Sequence, residues 1–380
     1  MEAGSKILNI SFNHGRTTFV AATDKGFTMY RVNPLEKICD RNLGGGLSIA
    51  VQLFETNFFG LVGGGDNPLH PVNQFVLWND YPAPNGAPVL QRTEKDKIVA
   101  VKLNHDITAL VTRKTATLYS LKDMSVVKKI KTGTNPDGIC DMSSTKGSVF
   151  LCPGQEPGTV IVCDYKNGTE RIVSCCSHPL KTISLNTVSD QSDMTYNIIP
   201  DSLFATTSTE GTLVRIFDVV KQNLVKELRR GSDVCDIYGV NFSPDSRCIS
   251  VTSSKNTVHV FSINKDFGNQ SSRASFLGGY FNSEWSSFGI DFSPIEATTN
   301  PGGPQFQTVS DTNGGESVKH YSCIFPTSPT TDGDAFRLLV ICCDGSYAIH
   351  DLQFKDRKTI PRASGLLQKL PCRTLEIEME

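Results

Sequence analysis

An all-β, seven-bladed β-propeller with four-stranded antiparallel blades is the fold this sequence predicts. Three observations carry that expectation. A short β-branched run, a polar turn and a second alternating run recur seven times along the 380 residues. The copies follow one another at roughly 40–50 residues, one interval excepted, which is the repeat length of a propeller blade. The i, i+3, i+4 apolar spacing of amphipathic helices is nearly absent. Two packed β-sandwiches, the alternative all-β architecture, fit the regular period less well.

In chain order the hairpins are FVAATDKGFTMYRV from Phe19, FGLVGGGDNPLHPVNQFVLWND from Phe59 with a longer turn, and TALVTRKTATLYSL from Thr108. VFLCPGQEPGTVIVCDY from Val149, LFATTSTEGTLVRIFDV from Leu203, CISVTSSKNTVHVFSI from Cys248 and LLVICCDGSYAIHDL from Leu338 complete the set. Each places small or polar residues between two apolar alternations, the signature of a hairpin. ISFNHGRT (Ile10 to Thr17) and VNFSPDSR (Val240 to Arg247) precede their hairpins and are expected to supply an earlier strand of the blade. The long interval lies between Phe292 and Phe336. Its Pro/Gly/Ser/Thr-rich composition predicts a mobile surface insertion at about 294–320 within a single domain spanning 1–380.

Composition narrows the function. Lys and Arg number 37 against 39 Asp and Glu, for a net charge of −2, so the chain is not coated with basic residues for nucleic acid. Any anion site must be local. The N-terminus has no signal-peptide pattern, and no apolar run approaches the roughly 18 residues of a membrane span, so a cytoplasmic protein is expected. The twelve cysteines fall mostly in apolar strand-like runs and are expected to be reduced and buried.

The stretch KELRRGSD, Lys226 to Asp233, holds the most informative residues. Neighbouring side chains on a strand point to opposite faces, so Arg229 and Arg230 cannot easily share one partner. Arginine offers a planar fork of donors suited to phosphate and never loses its charge. The flanking turns, TTSTEGT and TSSKNT, are near copies: Ser208 to Thr212 matches Ser253 to Thr257 forty-five residues later. Each precedes a basic group, Arg215 or His259. Two quasi-equivalent half-sites result, with one arginine to complete each. The two arginines are thus read as an exposed charged pair; the plainer alternative is a surface ion pair with Glu227 or Asp233.

STEGTLVRIFD, ELRRGSD and NFSPDSRCISVTSSKNTVHVF resemble the PROPPIN family, seven-bladed WD-repeat-like propellers that bind polyphosphoinositides. The family's hallmark is Phe/Leu-Arg-Arg-Gly between blades five and six, and Leu228 is similar to the leucine branch. The likeness extends to LVGGGDNPLHPVNQFVLWND, to AVKLNHD and to Arg273 through Phe281. The segment between Phe292 and Phe336 departs from the pattern. The resemblance implies a first lipid site of Arg229, His178, Ser208, Thr212 and Arg215. It implies a second of Arg230, Ser253, Ser254, Thr257 and His259. A membrane-facing loop at about 264–284 would carry Lys265, Phe267, Arg273 and Phe276, with Trp285 read as blade packing. Pro68, His70, Pro71 and Val72 would contact a protein partner, the autophagic lipid-transfer protein. The implied ligands are phosphatidylinositol 3-phosphate and the 3,5-bisphosphate, met peripherally on preautophagosomal, endosomal or vacuolar membranes.

Other motifs fail on context. VGGGD lacks the lysine-serine and the helix of a phosphate cradle. Cys175, Cys176 and His178 have no second ligand pair at zinc spacing. No nucleophile elbow, His-Glu-x-x-His or P-loop occurs. Neither catalysis, cofactor, metal nor nucleic-acid binding is expected. The rival reading is a WD-repeat interaction scaffold whose arginines grip an acidic peptide.

Overall fold

The computed structural model describes residues 5–81, 86–144, 147–186, 201–263, 284–291, 320–326 and 335–370. Seven antiparallel sheets form the ring, spanning 7–42, 47–93, 98–131, 141–174, 180–229, 237–291 and 320–366. Within each blade the strands meander outward from the axis, and strands adjacent in sequence are adjacent in the sheet. All seven predicted hairpins are present as the second and third strands of successive blades. Ile7–Phe12 and Ile237–Phe242 are innermost strands, where ISFNHGRT and VNFSPDSR placed them.

Burial follows from position in the blade. Thr18–Thr23, a second strand, is buried at every residue because neighbouring blades cover both faces. Val126–Lys131, an outer strand, buries only Ile130, and its lysines discourage edge-to-edge pairing. Among the described residues seven apolar clusters occupy the seven interfaces between neighbouring blades. Phe204, fully buried between blades four and five, stacks on Phe217 at 5.3 Å. Burying such a side chain contributes about 1.5–3 kcal/mol.

The ring closes by side-chain packing of blade seven on blade one. Ile7, Ile10 and Phe19 meet Leu339, Ile341 and Leu367. Tyr321 Oη donates to Asn9 Oδ1 at 3.2 Å, and Arg337 Nη1 to Asn33 Oδ1 at 3.0 Å. The innermost strands surround an axial cavity of about 330 Å³ lined by Asn9, Val51, Lys102, Asp141, Ser184 and Asn241. Ten of the described cysteines are free thiols and seven of these are buried, and burial raises the pKa of Cys140 to about 12.

The expected loop at 264–284 and insertion at 294–320 lie outside the described residues, apart from Glu284 and His320 at their ends. Glu284–Trp285 forms a fifth strand on blade five, parallel to its outer strand, with Glu284 opposite Leu228 and Trp285 opposite Arg229. Because strands alternate in direction, the second-to-third turns and the links from outer to next inner strand emerge on one face. That face therefore gathers the turns at 209–212 and 254–256, the link at 230–236 and the blade-two loop at 64–73.

Candidate anion-binding site

The outer strand of blade five, Leu224–Arg229, pairs with Leu213–Asp218 so that Arg229 faces Leu213 and Glu227 faces Arg215. Paired residues share a face in an antiparallel ladder, which puts Arg215, Glu227 and Arg229 together. The opposite face, Val214, Ile216 and Leu228, packs into the apolar cluster shared with blade six. Arg215, Glu227 and Arg229 therefore look toward blade four. The Arg230 amide still donates to Thr212 O at 2.9 Å, and strand alternation sends its side chain toward blade six.

In the groove between blades four and five, Arg229 is 7% exposed and Ser208 is buried. Arg215 Nε is bonded to Glu227 Oε2 at 2.9 Å, so its charge is balanced within the strand pair. His178 Nε2 lies 3.3 Å from Glu210 Oε1, and its Nδ1 is 3.1 Å from Ser177 Oγ. Thr209 N donates to Pro179 O at 2.9 Å, tying the blade-five turn to the link that carries His178. Thr212 accepts from Arg230. Ser208, Arg215 and Arg229 thus share the face toward blade four, and the turn at 209–212 is tied to the link that carries His178.

The second groove, between blades five and six, is built around Arg230, which is 6% exposed. Its Nε donates to Gly211 O at 2.9 Å and its Nη2 to Asp233 O. Carbonyl oxygens orient a guanidinium without cancelling its charge. Gly211 has φ +67, and a Cβ there would stand 2.0 Å from Cys235 O; only glycine lets the turn and the link approach this closely. Ser253 is fully buried, and Ser254 Oγ accepts from Asp236 N at 3.2 Å. Thr257 Oγ1 lies 3.3 Å from His259 Nε2, whose Nδ1 is 3.1 Å from Ser286 Oγ. Burial, reinforced by the positive charge of Arg230 and opposed by Asp291, lowers the His259 pKa to about 4.

Two expectations are corrected here. The arginine pair, read as exposed, is buried: the Gly211 turn and the 231–235 link fold over Arg230, and Arg229 lies on the face toward blade four. His259, counted as basic, is neutral above about pH 4 because burial disfavours its charge.

Lys265, Phe267, Arg273 and Phe276 lie outside the described residues. The blade-two loop is held to its own inner strand: Leu69 N donates to Gly46 O at 2.9 Å, and Gly46 N to Asn67 O at 2.7 Å. Pro68, Pro71 and Val72 (38% exposed) face solvent. His70 is half-buried, its Nε2 unpartnered and its pKa lowered by burial. Among the described residues no cluster of three His, Cys, Asp or Glu is arranged for a metal.

Sequence reasoning missed the Glu227 partner of Arg215, the carbonyl anchors of Arg230, and Ser286 beside His259; Trp285, read as blade packing, lies on the edge of blade five. Hairpin register counted from the turn would have paired position 215 with 227. Nothing in the two residues Glu284 and Trp285 marks them as a strand of a different blade.

The family model for PROPPIN matches residues 7–292. Autophagy-related protein 18e of Arabidopsis thaliana is 30% identical over 265 residues, covering 69% of this chain and 67% of that one. SVP1-like protein 2 of Pichia angusta is 28% identical over 263 residues, covering 68% and 70%. Among solved structures, Kluyveromyces lactis Hsv2 superposes with a TM-score of 0.71 at 18% identity, covering 96% of this chain and all of that one. A complex of KlAtg21 with the coiled coil of AgAtg16 gives 0.67 at 16%, covering 95% and 99%. At such identities the structures show the shared propeller.

Proposed function

The chain belongs to the PROPPIN family, and on that premise we propose that it is a non-catalytic phosphoinositide effector. It binds phosphatidylinositol 3-phosphate and the 3,5-bisphosphate, one headgroup in each groove beside blade five. Bound peripherally to autophagic, endosomal or vacuolar membranes, it recruits a protein partner through the blade-two loop. The observation that carries this reading is the placement of Arg229 and Arg230, consecutive in sequence, in separate hydroxyl-lined grooves on either side of one blade. A single headgroup contact competes with water and salt. Two on one rigid rim make the second binding event intramolecular and raise avidity by orders of magnitude. Such a device suits a surface that displays many copies of one lipid.

Vesicle flotation tests the reading. Wild-type protein is expected to float with vesicles containing phosphatidylinositol 3-phosphate and to remain behind with phosphatidylserine alone. Arg229→Ala with Arg230→Ala should abolish flotation. Removing the Arg230 fork leaves the Gly211 and Asp233 carbonyls short of a donor, at a cost of about 1–3 kcal/mol each if they stay buried, so thermal unfolding is measured alongside. A folded double variant that floats like wild type would remove the lipid assignment; retained binding of an acidic peptide only would favour the interaction scaffold.

A further inference from the structure

Lys226 lies four residues before Arg230, on the strand that ends at Arg229, and its side chain is 14% exposed. Its ammonium has three donors, and three acceptors surround it. Nζ reaches Ser262 O at 3.3 Å, Ile263 O at 3.1 Å and Glu284 Oε2 at 2.8 Å. Ser262 ends the third strand of blade six and Ile263 follows it, whereas Glu284 opens the two-residue strand laid on blade five. One cation thus joins both ends of the segment 264–283. Beyond Glu284 the chain meets both grooves in succession. Trp285 pairs with Arg229 along the edge of the outer strand, and Ser286 Oγ stands 3.1 Å from His259 Nδ1.

A two-residue strand has too little ladder to hold itself on a sheet edge. A charge-assisted contact between a largely buried ammonium and a carboxylate, supplemented by two carbonyls, is stronger than a neutral hydrogen bond. We infer that Lys226 is a positioning residue for anion recognition: it holds Glu284, Trp285 and Ser286 against Arg229 and His259 without entering either groove. The inference rests on the headgroup reading above and adds that both grooves share one support. A second consequence is that the stem of the 264–283 segment and the two arginines respond to the same contact.

The chain has two tryptophans, Trp78 and Trp285, so in a Trp78→Phe background Trp285 emission reports the stem directly. In that background Lys226→Met, Lys226→Arg and Glu284→Gln are compared by emission, thermal unfolding and flotation with phosphatidylinositol 3-phosphate vesicles. Lys226→Met should shift Trp285 emission to the red and weaken vesicle binding roughly two- to thirtyfold, the range carried by residues one step removed from a ligand. Glu284→Gln should do the same more mildly, and Lys226→Arg should restore emission and binding, with unfolding midpoints close to the parent. Unaltered binding by Lys226→Met, or weakened binding with unaltered Trp285 emission, overturns the inference. Failure of the parent itself to float would instead sink the headgroup reading, while the emission of Lys226→Met would still decide whether the clasp exists.

Discussion

His259 is a neutral imidazole in a positively charged groove, and its stability linkage follows from that. Its pKa falls from 6.5 to about 4, first because it is buried and second because Arg230 is near. The unfolded chain therefore binds the proton more readily, and stability is lost as pH falls from about 6.5 toward 4. The contribution of this one ring is on the order of 2–3 kcal/mol across that window. Denaturant unfolding at pH 7 and at pH 4.5 measures it, with His259→Gln as the comparison. The variant should lose distinctly less stability on acidification; equal losses would mean that the ring titrates normally. His14, whose pKa is likewise lowered to about 4 by burial and Lys102, adds to the background slope in both proteins. At neutral pH, then, His259 can offer a headgroup a hydrogen bond and no charge.

The blade-two loop shows how an element divides its residues between shape and contact. A Cβ on Gly63 would stand 1.7 Å from His70 O, and one on Gly64 would stand 2.3 Å from Ser48 Cβ. The glycines read in the sequence as turn formers thus let the loop fold tightly onto its own blade. His70 is half-buried in that fold, leaving Pro71 and Val72 as the outward surface. Changing Pro71 and Val72 to glutamate should weaken capture of the autophagic lipid-transfer protein by about tenfold or more, as loss of an interface anchor does. Flotation should be unchanged; a pull-down at wild-type level, or a folded variant that no longer floats, would end this division of labour. The hairpins were legible because turn chemistry and period-2 alternation coincide within a dozen or so neighbouring residues. The opposite facing of Arg229 and Arg230 was legible for the same local reason. Their burial was not; that of Arg230 needs the Gly211 turn and the 231–235 link to close over it from two directions. The Glu284–Trp285 strand was hidden too, because its partner lies more than fifty residues back, in another blade.

At the scale of the whole molecule, seven apolar interfaces make a stiff ring, and stiffness is what allows two weak sites to act together. The net charge of −2 gives no general attraction to anionic surfaces, so under the proposed reading binding should depend on the two grooves and weaken as salt screens them. Blade two stands three blades from blade five around the ring, so under the proposed reading its loop is free for a protein when blades five and six meet lipid. The central claim is that consecutive arginines serve two separate headgroups. Calorimetric titration with the water-soluble headgroup inositol 1,3-bisphosphate tests it without a membrane. Wild type should bind two equivalents, and Arg229→Ala and Arg230→Ala one each. A single equivalent in wild type, or complete loss of binding in either folded single variant, would contradict the account.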